Sequence, residues 1–172
     1  GALPVPLRLE TSDGRFCNGV RLDERHVATA AHCVHLGGTV TLIENGVATQ
    51  ADAVAVNPGF EFQPTVTAAG ADLAKLTVPA PVGNSATVAI GTIQPGSAQV
   101  FALSRSGVLE QTVCTYLGRS GAIVELSCLV EPGWSGAPVV QNGALVGIVS
   151  ARGRGPAQSV VQMADAIRLT AF

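Results

Sequence analysis

Three dipeptides punctuate this chain, Asp13-Gly14, Asn45-Gly46 and Asn142-Gly143, and each is flanked by residues of high strand propensity. Asn, Asp and Gly tolerate the left-handed backbone that tight hairpins require, so each dipeptide predicts a pair of strands around it. Segments of strand character run between them: Phe16 to Leu22, Thr39 to Glu44, Ala48 to Val56, Leu73 to Val78, Gln99 to Leu103 and Ala144 to Ser150. With 20 glycines and 10 prolines breaking up a chain that is 47% hydrophobic, the pattern predicts an all-β protein of many short strands. The exception is the end, where Val161, Ala164, Ile167 and Leu169 recur at roughly helical spacing among Gln162, Asp165 and Arg168, predicting a C-terminal helix. A length of 172 residues suits one domain or a pair of small barrels. Pro79, Pro81 and Pro95, with Gly83 and Asn84 between them, mark a natural linker.

Charge and hydropathy narrow the function. A net charge of −2 without any dense basic run argues against nucleic acid or an anionic membrane as partner. No apolar run approaches the roughly 20 residues of a spanning helix, and the most apolar stretch, Ala144 to Ser150, is only strand length, so no membrane insertion is expected. No basic and apolar leader precedes Gly1, which suits a mature secreted chain or one trimmed to its folded part. The four cysteines allow three pairings. Cys114 and Cys128 lie in adjacent strand-like segments, Val108 to Leu117 and Ala122 to Leu129, as a cross-strand staple would. Disulfides point to an oxidising, secreted or periplasmic location; the alternative that the cysteine sequence alone leaves open is small buried thiols in a cytosolic protein. Neither cysteine pair has the spacing of a zinc knuckle, and His26 and His35 have no clustered partners, so no metal or other cofactor is expected.

Three longer words carry the chemistry. Thr29-Ala30-Ala31-His32-Cys33, Asp72-Leu73-Ala74-Lys75-Leu76 and Gly133-Trp134-Ser135-Gly136-Ala137-Pro138 offer, in chain order, an imidazole, a carboxylate and a hydroxyl between glycines. A serine hydroxyl is a weak nucleophile until an imidazole takes its proton and a carboxylate fixes that imidazole's tautomer. In these words and in their order, the chain resembles the chymotrypsin/trypsin-like serine proteases, as a small bacterial-type member. The resemblance implies two packed six-stranded antiparallel β-barrels with a C-terminal helix. Residues 1–80 would form the first barrel, with His32 and Asp72; residues 81–95 the linker; residues 96–172 the second barrel, with Ser135 and the helix. It implies His32 as general base, Asp72 as its orienter in preference to Asp52, Ser135 as nucleophile, and the N–H groups of Gly133 and Ser135 as the oxyanion hole. It also implies a Cys17–Cys33 bridge beside the histidine, leaving Cys114 with Cys128.

Departures from the family are informative. Relatives that mature by cleavage carry an aspartate immediately before the nucleophile, where it pairs with a new N-terminus; here that residue is Trp134. The usual activation switch is therefore absent, and the oxyanion loop is either held by packing of Trp134 or formed when substrate arrives. Where trypsin-like members place an acidic residue in the specificity pocket this chain has Leu129, followed by Val130, which disfavours basic side chains. Ser150, Ala151 and Arg152 match the strand that pairs with extended substrate, although Ser150 also reads as an ordinary strand-end serine. Arg152 would narrow the pocket mouth, pair with Glu131, meet an acidic substrate side chain, or simply lie exposed. The expected function is a serine endopeptidase acting on peptide or protein substrates, with any regulatory protein partner unknown. The alternative is a catalytically silent protease-like domain that binds a protein partner. An esterase would share the triad, but its Ser-first order and nucleophile elbow are missing.

Overall fold

A computed structural model describes residues 3–61, 70–79, 87–153 and 158–172. The first half contains β1 (Pro6–Thr11), β2 (Phe16–Arg21), β3 (His26–Thr29), a one-turn helix α1 (Ala31–Val34), β4 (Val40–Glu44), β5 (Val47–Gln50), β6 (Ala53–Val56) and β7 (Ala74–Thr77). The second contains β8 (Ser97–Leu103), β9 (Leu109–Ser120), β10 (Ile123–Ser127), β11 (Pro138–Gln141), β12 (Ala144–Arg152), β13 (Val160–Asp165) and a short 3-10 helix (Ala166–Ala171). The protein is mostly β, in two barrel-like sheets.

The first sheet is ordered β5-β4-β1-β2-β3-β7-β6 and the second closes as β10-β13-β12-β11-β8-β9. The edge strands of the first sheet, β5 and β6, are consecutive in the chain. Ala51 N–H bonds Val40 O (2.9 Å) on one side of the break and Asp52 N–H bonds Thr77 O (2.8 Å) on the other. One bent segment thus crosses from one edge to the other and rolls the sheet up. The stretch Ala48 to Val56, expected as one strand, is therefore two. Counted as one bent strand, it gives the first sheet six. At Asn45-Gly46 (φ 49° and 78°) and Asn142-Gly143 (52° and 76°) both turn residues are left-handed, matching the twist of the strands they join.

The chain's end differs from its helical reading. Val161 and Ala164 lie on β13, which pairs with both β10 and β12 and closes the barrel, and the helix begins only at Ala166. Two ladders satisfy the backbone of this segment, and that outweighs a local spacing that suits either structure. Part of the expected linker, including Pro81, Gly83 and Asn84, lies outside the described residues. Its continuation is strapped down: Val88 N–H bonds Leu22 O (2.8 Å), while Gly91 N–H bonds Leu145 O and Leu145 N–H bonds Ala89 O (both 2.9 Å).

Apolar side chains fill three regions. Leu7, Leu9, Val27, Leu42 and Leu76 pack inside the rolled sheet, and Val100, Val124, Leu126, Val139 and Met163 inside the closed barrel. Val20, Leu22, Leu73, Leu145, Ile148 and Leu169 pack together between the two sheets. The seam is therefore a hydrophobic core in its own right, and it is where the polar residues below meet.

Gly136 shows how closely the halves approach. A Cβ there would lie 1.9 Å from Asn18 O and 2.4 Å from Thr29 Oγ1, at a φ of +88°. Gly14 has nearly the same φ (+87°) with nothing within 4 Å. Gly14→Ala should cost about 1–2 kcal/mol, the left-handed backbone alone. Gly136→Ala should cost more than about 4 kcal/mol, because the obstacle is backbone that cannot rotate away. Urea denaturation of both variants measures the difference, and equal losses would contradict the close approach.

Candidate active site

His32 sits in α1, immediately after β3. Pairing of β3 with β7 sets Thr29 opposite Ala74, so the residues after Thr29 and those before Ala74 leave the same end of the sheet. This register brings His32 to Asp72. The Asp72 carboxylate accepts from His32 N–H through Oδ1 (2.8 Å) and lies 2.5 Å from His32 Nδ1 through Oδ2. The first N–H groups of a helix have no intrahelical acceptor, so one carboxylate caps α1 and orients its ring together. Asp72 is only 3% exposed.

A third donor comes from the other sheet: Ser150 Oγ bonds Asp72 Oδ2 at 2.6 Å. The β12–β13 register slips between Val149 and Ala151, which makes Ser150 a bulged residue. Leu145 to Ser150 are all buried, Ile148 in the seam, Val149 inside the closed barrel and Ser150 toward Asp72 at the seam again. Ser135 lies in the turn before β11, and its Oγ is 3.5 Å from Ser150 O. Among the described residues it makes no hydrogen bond to His32.

The turn carrying Ser135 is held at several points. Ser135 O accepts from Asn18 N–H (2.8 Å), Gly136 N–H bonds Val149 O (2.8 Å), and Ala137 N–H bonds Trp134 O (2.9 Å). The N–H groups of Gly133 and Ser135 have no acceptor among the described residues, while Trp134 N–H bonds Glu131 O (3.2 Å). Gly133 has a φ of +95°, and a Cβ there would meet the Phe16 ring at 2.9 Å, so only glycine fits. Trp134 is buried in the closed barrel against Val130 and Cys128. Its buried indole Nε1 finds no hydrogen-bond partner among the described residues.

The expected substrate-binding residues divide. Val130, Ala151 and Arg152 line a pocket of ≈ 490 Å³ beside Ser135, with Glu131 and Val149. Leu129 does not: it is 60% exposed, since Cys128 and Val130 on either side point inward. Arg152 donates to Val130 O (3.0 Å) and makes no ion pair with Glu131 among the described residues. A groove of similar size (≈ 500 Å³) between Arg8, Arg21, Ile43 and Leu109 contains none of the candidate residues.

Other titratable groups have local tasks. Asp52 pairs with Arg25 at 3.7 Å on the surface, and His26 with Asp23 at 2.9 Å inside its own turn. Burial, then the charges of Arg15 and His32, hold the His35 imidazole below its usual range, so it is mostly uncharged at neutral pH. Cys17, Cys33 and His32 bring ligand-type atoms within 4.8 Å, but both sulfurs are spent in the Cys17–Cys33 disulfide. The second bridge joins Cys114 to Cys128. Two disulfides fit an oxidising compartment, and no helix among the described residues is long and apolar enough to cross a membrane.

The residue that the motifs did not single out is Asn18, wholly buried beside Cys17. A lone amide among the apolar residues of β2 is the sequence signal, because buried polar groups persist only where they are hydrogen-bonded.

An all-β chain folded as two sheets, with polar residues gathered at their seam, has the architecture of the chymotrypsin-like proteins. The chain belongs to the trypsin-like peptidase domain family, whose pattern it matches over residues 17–148. Among solved structures it is similar to HL collagenase, with a TM-score of 0.76 at 18% identity over 95% of this chain and 88% of that one. It is also similar to the scabies mite inactivated protease paralogue S-I1, with a TM-score of 0.80 at 16% identity, covering 98% and 92%. A third is the thermostable serine protease AL20 from an extremophilic microorganism, with a TM-score of 0.73 at 16% identity, covering 94% and 90%. No curated protein sequence matches the chain.

Because Ser150 supplies one of three donors to a buried carboxylate, Ser150→Ala should destabilise the protein by about 1–3 kcal/mol. Ser150→Thr, which keeps the hydroxyl, should recover part of that loss. Denaturant titration checks both, and a neutral alanine variant would contradict the bond's importance.

Proposed function

We propose that the protein is a serine endopeptidase that hydrolyses peptide bonds through Ser135, His32 and Asp72. The observation that carries this reading is the double grip of Asp72 on His32, which presents Nε2 of the ring as the free base. Ser135 Oγ attacks the scissile carbonyl as His32 Nε2 takes its proton. The carbonyl oxygen becomes an oxyanion held by Gly133 and Ser135 N–H. Collapse breaks the C–N bond, and the imidazolium gives its proton to the departing amine, leaving an acyl-serine. Water, deprotonated by the same imidazole, then releases the carboxylic acid and restores the hydroxyl. Residues 1–80 act as the half supplying base and orienter, residues 96–172 as the half supplying the nucleophile, and residues 81–95 as the link. Substrates are peptides or proteins, met in a secreted or periplasmic setting.

A fluorophosphonate should add covalently to Ser135, because an imidazole oriented by Asp72 accepts the serine proton. Ser135→Ala should abolish the adduct, and Asp72→Asn should slow turnover by about 10⁴-fold through the wrong tautomer. Intact mass spectrometry reads the adduct. No adduct at any pH, even with peptides present, would overturn the enzyme in favour of a protease-like domain that binds a protein partner. That alternative draws support from the Ser135 hydroxyl facing Ser150 O instead of His32.

Cleavage should follow uncharged residues and not Lys or Arg, since Val130, Val149 and Ala151 offer a cation no carboxylate and Arg152 repels it. A peptide-library digest read by mass spectrometry decides: cuts confined to Lys and Arg would refute the pocket's assignment. Cleavage after acidic residues that disappears in Arg152→Ala would identify Arg152 as their partner.

A further inference from the structure

Every polar group of Asn18 is engaged, and two of its hydrogen bonds fall on the Gly133–Ser135 turn. Its side-chain Nδ2 donates to Gly133 O (2.8 Å) and to Leu103 O (3.0 Å), and its Oδ1 accepts from Leu103 N–H (2.7 Å). Its backbone N–H donates to Ser135 O (2.8 Å), and its carbonyl accepts from Thr29 Oγ1 (2.7 Å). Both side-chain N–H groups and the amide oxygen are therefore satisfied in a fully buried site. Cys17, the preceding residue, is tied covalently to Cys33 next to His32.

Resting on the hydrolase reading above, we propose that Asn18 is the positioning residue of the Gly133–Ser135 turn. It holds the carbonyls on both sides of Trp134 so that the N–H groups of Gly133 and Ser135 stay aligned for an oxyanion. The Gly133 carbonyl shares a peptide plane with Trp134 N–H. Fixing that carbonyl by Asn18 and that N–H by Glu131 O sets the plane from both sides. A glycine at positive φ would otherwise swing freely, and the half-buried Gly133 carbonyl would lose its donor. The Leu103 contacts matter because they lock the amide itself. With Oδ1 and one N–H paired to β8, the remaining N–H can point only at Gly133. The strand of one sheet thus carries the strut for a turn of the other. Asn18 does not touch the reacting atoms; it acts through the turn.

Trp134 is the chain's single tryptophan and sits inside that turn, so its fluorescence reports the turn's position independently of catalysis. In Asn18→Ala, Trp134 emission should shift to the red and acrylamide quenching should increase well below the melting temperature. Fluorophosphonate labelling should slow by about 10- to 100-fold, as expected for misplaced oxyanion donors. For a peptide substrate the loss should fall on kcat, with KM within about threefold, since the pocket at Val130 and Ala151 is untouched. Asn18→Leu keeps a similar volume but lacks the donor to Gly133 and the acceptor for Leu103 N–H, and should show the same pattern. Wild-type Trp134 emission and quenching in a folded variant would overturn the proposal whatever the labelling shows. Displaced emission with a wild-type labelling rate would overturn the link to reactivity. If neither variant folds, the wild-type protein decides: the Asn18 side-chain amide protons should be protected from solvent exchange, and rapid exchange overturns the strut. Failure of the wild-type protein to label would overturn the hydrolase reading alone and leave Trp134 to judge Asn18.

Discussion

A carboxylate removed from water is the constraint around which this molecule is arranged. Leaving Asp72 ionised and unpaired in an apolar seam would cost several kcal/mol, so its folded position demands donors from all sides. Two come from His32, one backbone and one ring, and the third from Ser150 on the opposite sheet. No single segment can satisfy it. The two sheets must come together, in this register, for the carboxylate to be tolerated, and the same requirement sets the imidazole's orientation. Hydrophobic contacts among Leu73, Leu145 and Ile148 supply the attraction across the seam, while Asp72 supplies its uniqueness.

The turn bearing Ser135 solves a different problem. The N–H groups of Gly133 and Ser135 have no acceptor among the described residues, so those two residues are not held through their donors. The carbonyls are bound instead: Ser135 O and Gly133 O by Asn18, Trp134 O by Ala137. Burial of the Trp134 side chain in the closed barrel adds a heavy apolar anchor in the middle. With tryptophan in that place the turn carries no charge needing a counterion, so its geometry depends on packing and on hydrogen bonds alone.

How much of this was legible in the sequence follows from the range of each interaction. The Asn45-Gly46 and Asn142-Gly143 hairpins are local, because the two turn residues themselves carry the left-handed backbone. His32, Asp72 and Ser135 were legible as words, and the structure gathers them at one seam. Ser150 reads in the sequence as part of a substrate-pairing strand or as an ordinary strand-end serine; its bond to Asp72, 78 residues away on the other sheet, follows from the meeting of the two sheets and not from any local pattern. Leu129 faces solvent because its neighbours Cys128 and Val130 face inward, a parity that counting back from the serine does not reveal. The end of the chain read as helix because Val161 and Ala164 suit either period, and only closure of the barrel by β10 and β12 decides between them. Asn18 lay beyond motif reading, for its partners Leu103 and Gly133 are 85 and 115 residues away.

The disulfides lie where ordering matters most. Cys17 adjoins Asn18 and Cys33 adjoins His32, so a single bond ties the strand supporting the Ser135 turn to the helix carrying the imidazole. Cys128 stands two residues before Val130 at the pocket, and its bond to Cys114 anchors the departure of that loop from the barrel. Holding side chains to a fraction of an ångström costs conformational entropy, about 1–2 kcal/mol for each fixed residue backbone. A covalent link lowers that cost by restricting the unfolded chain before any contact forms. Both bridges act on segments flanking polar, strained or close-packed residues, the places where noncovalent packing has least to spare. Cross-links placed there spare the site's own hydrogen bonds from carrying stability as well as orientation.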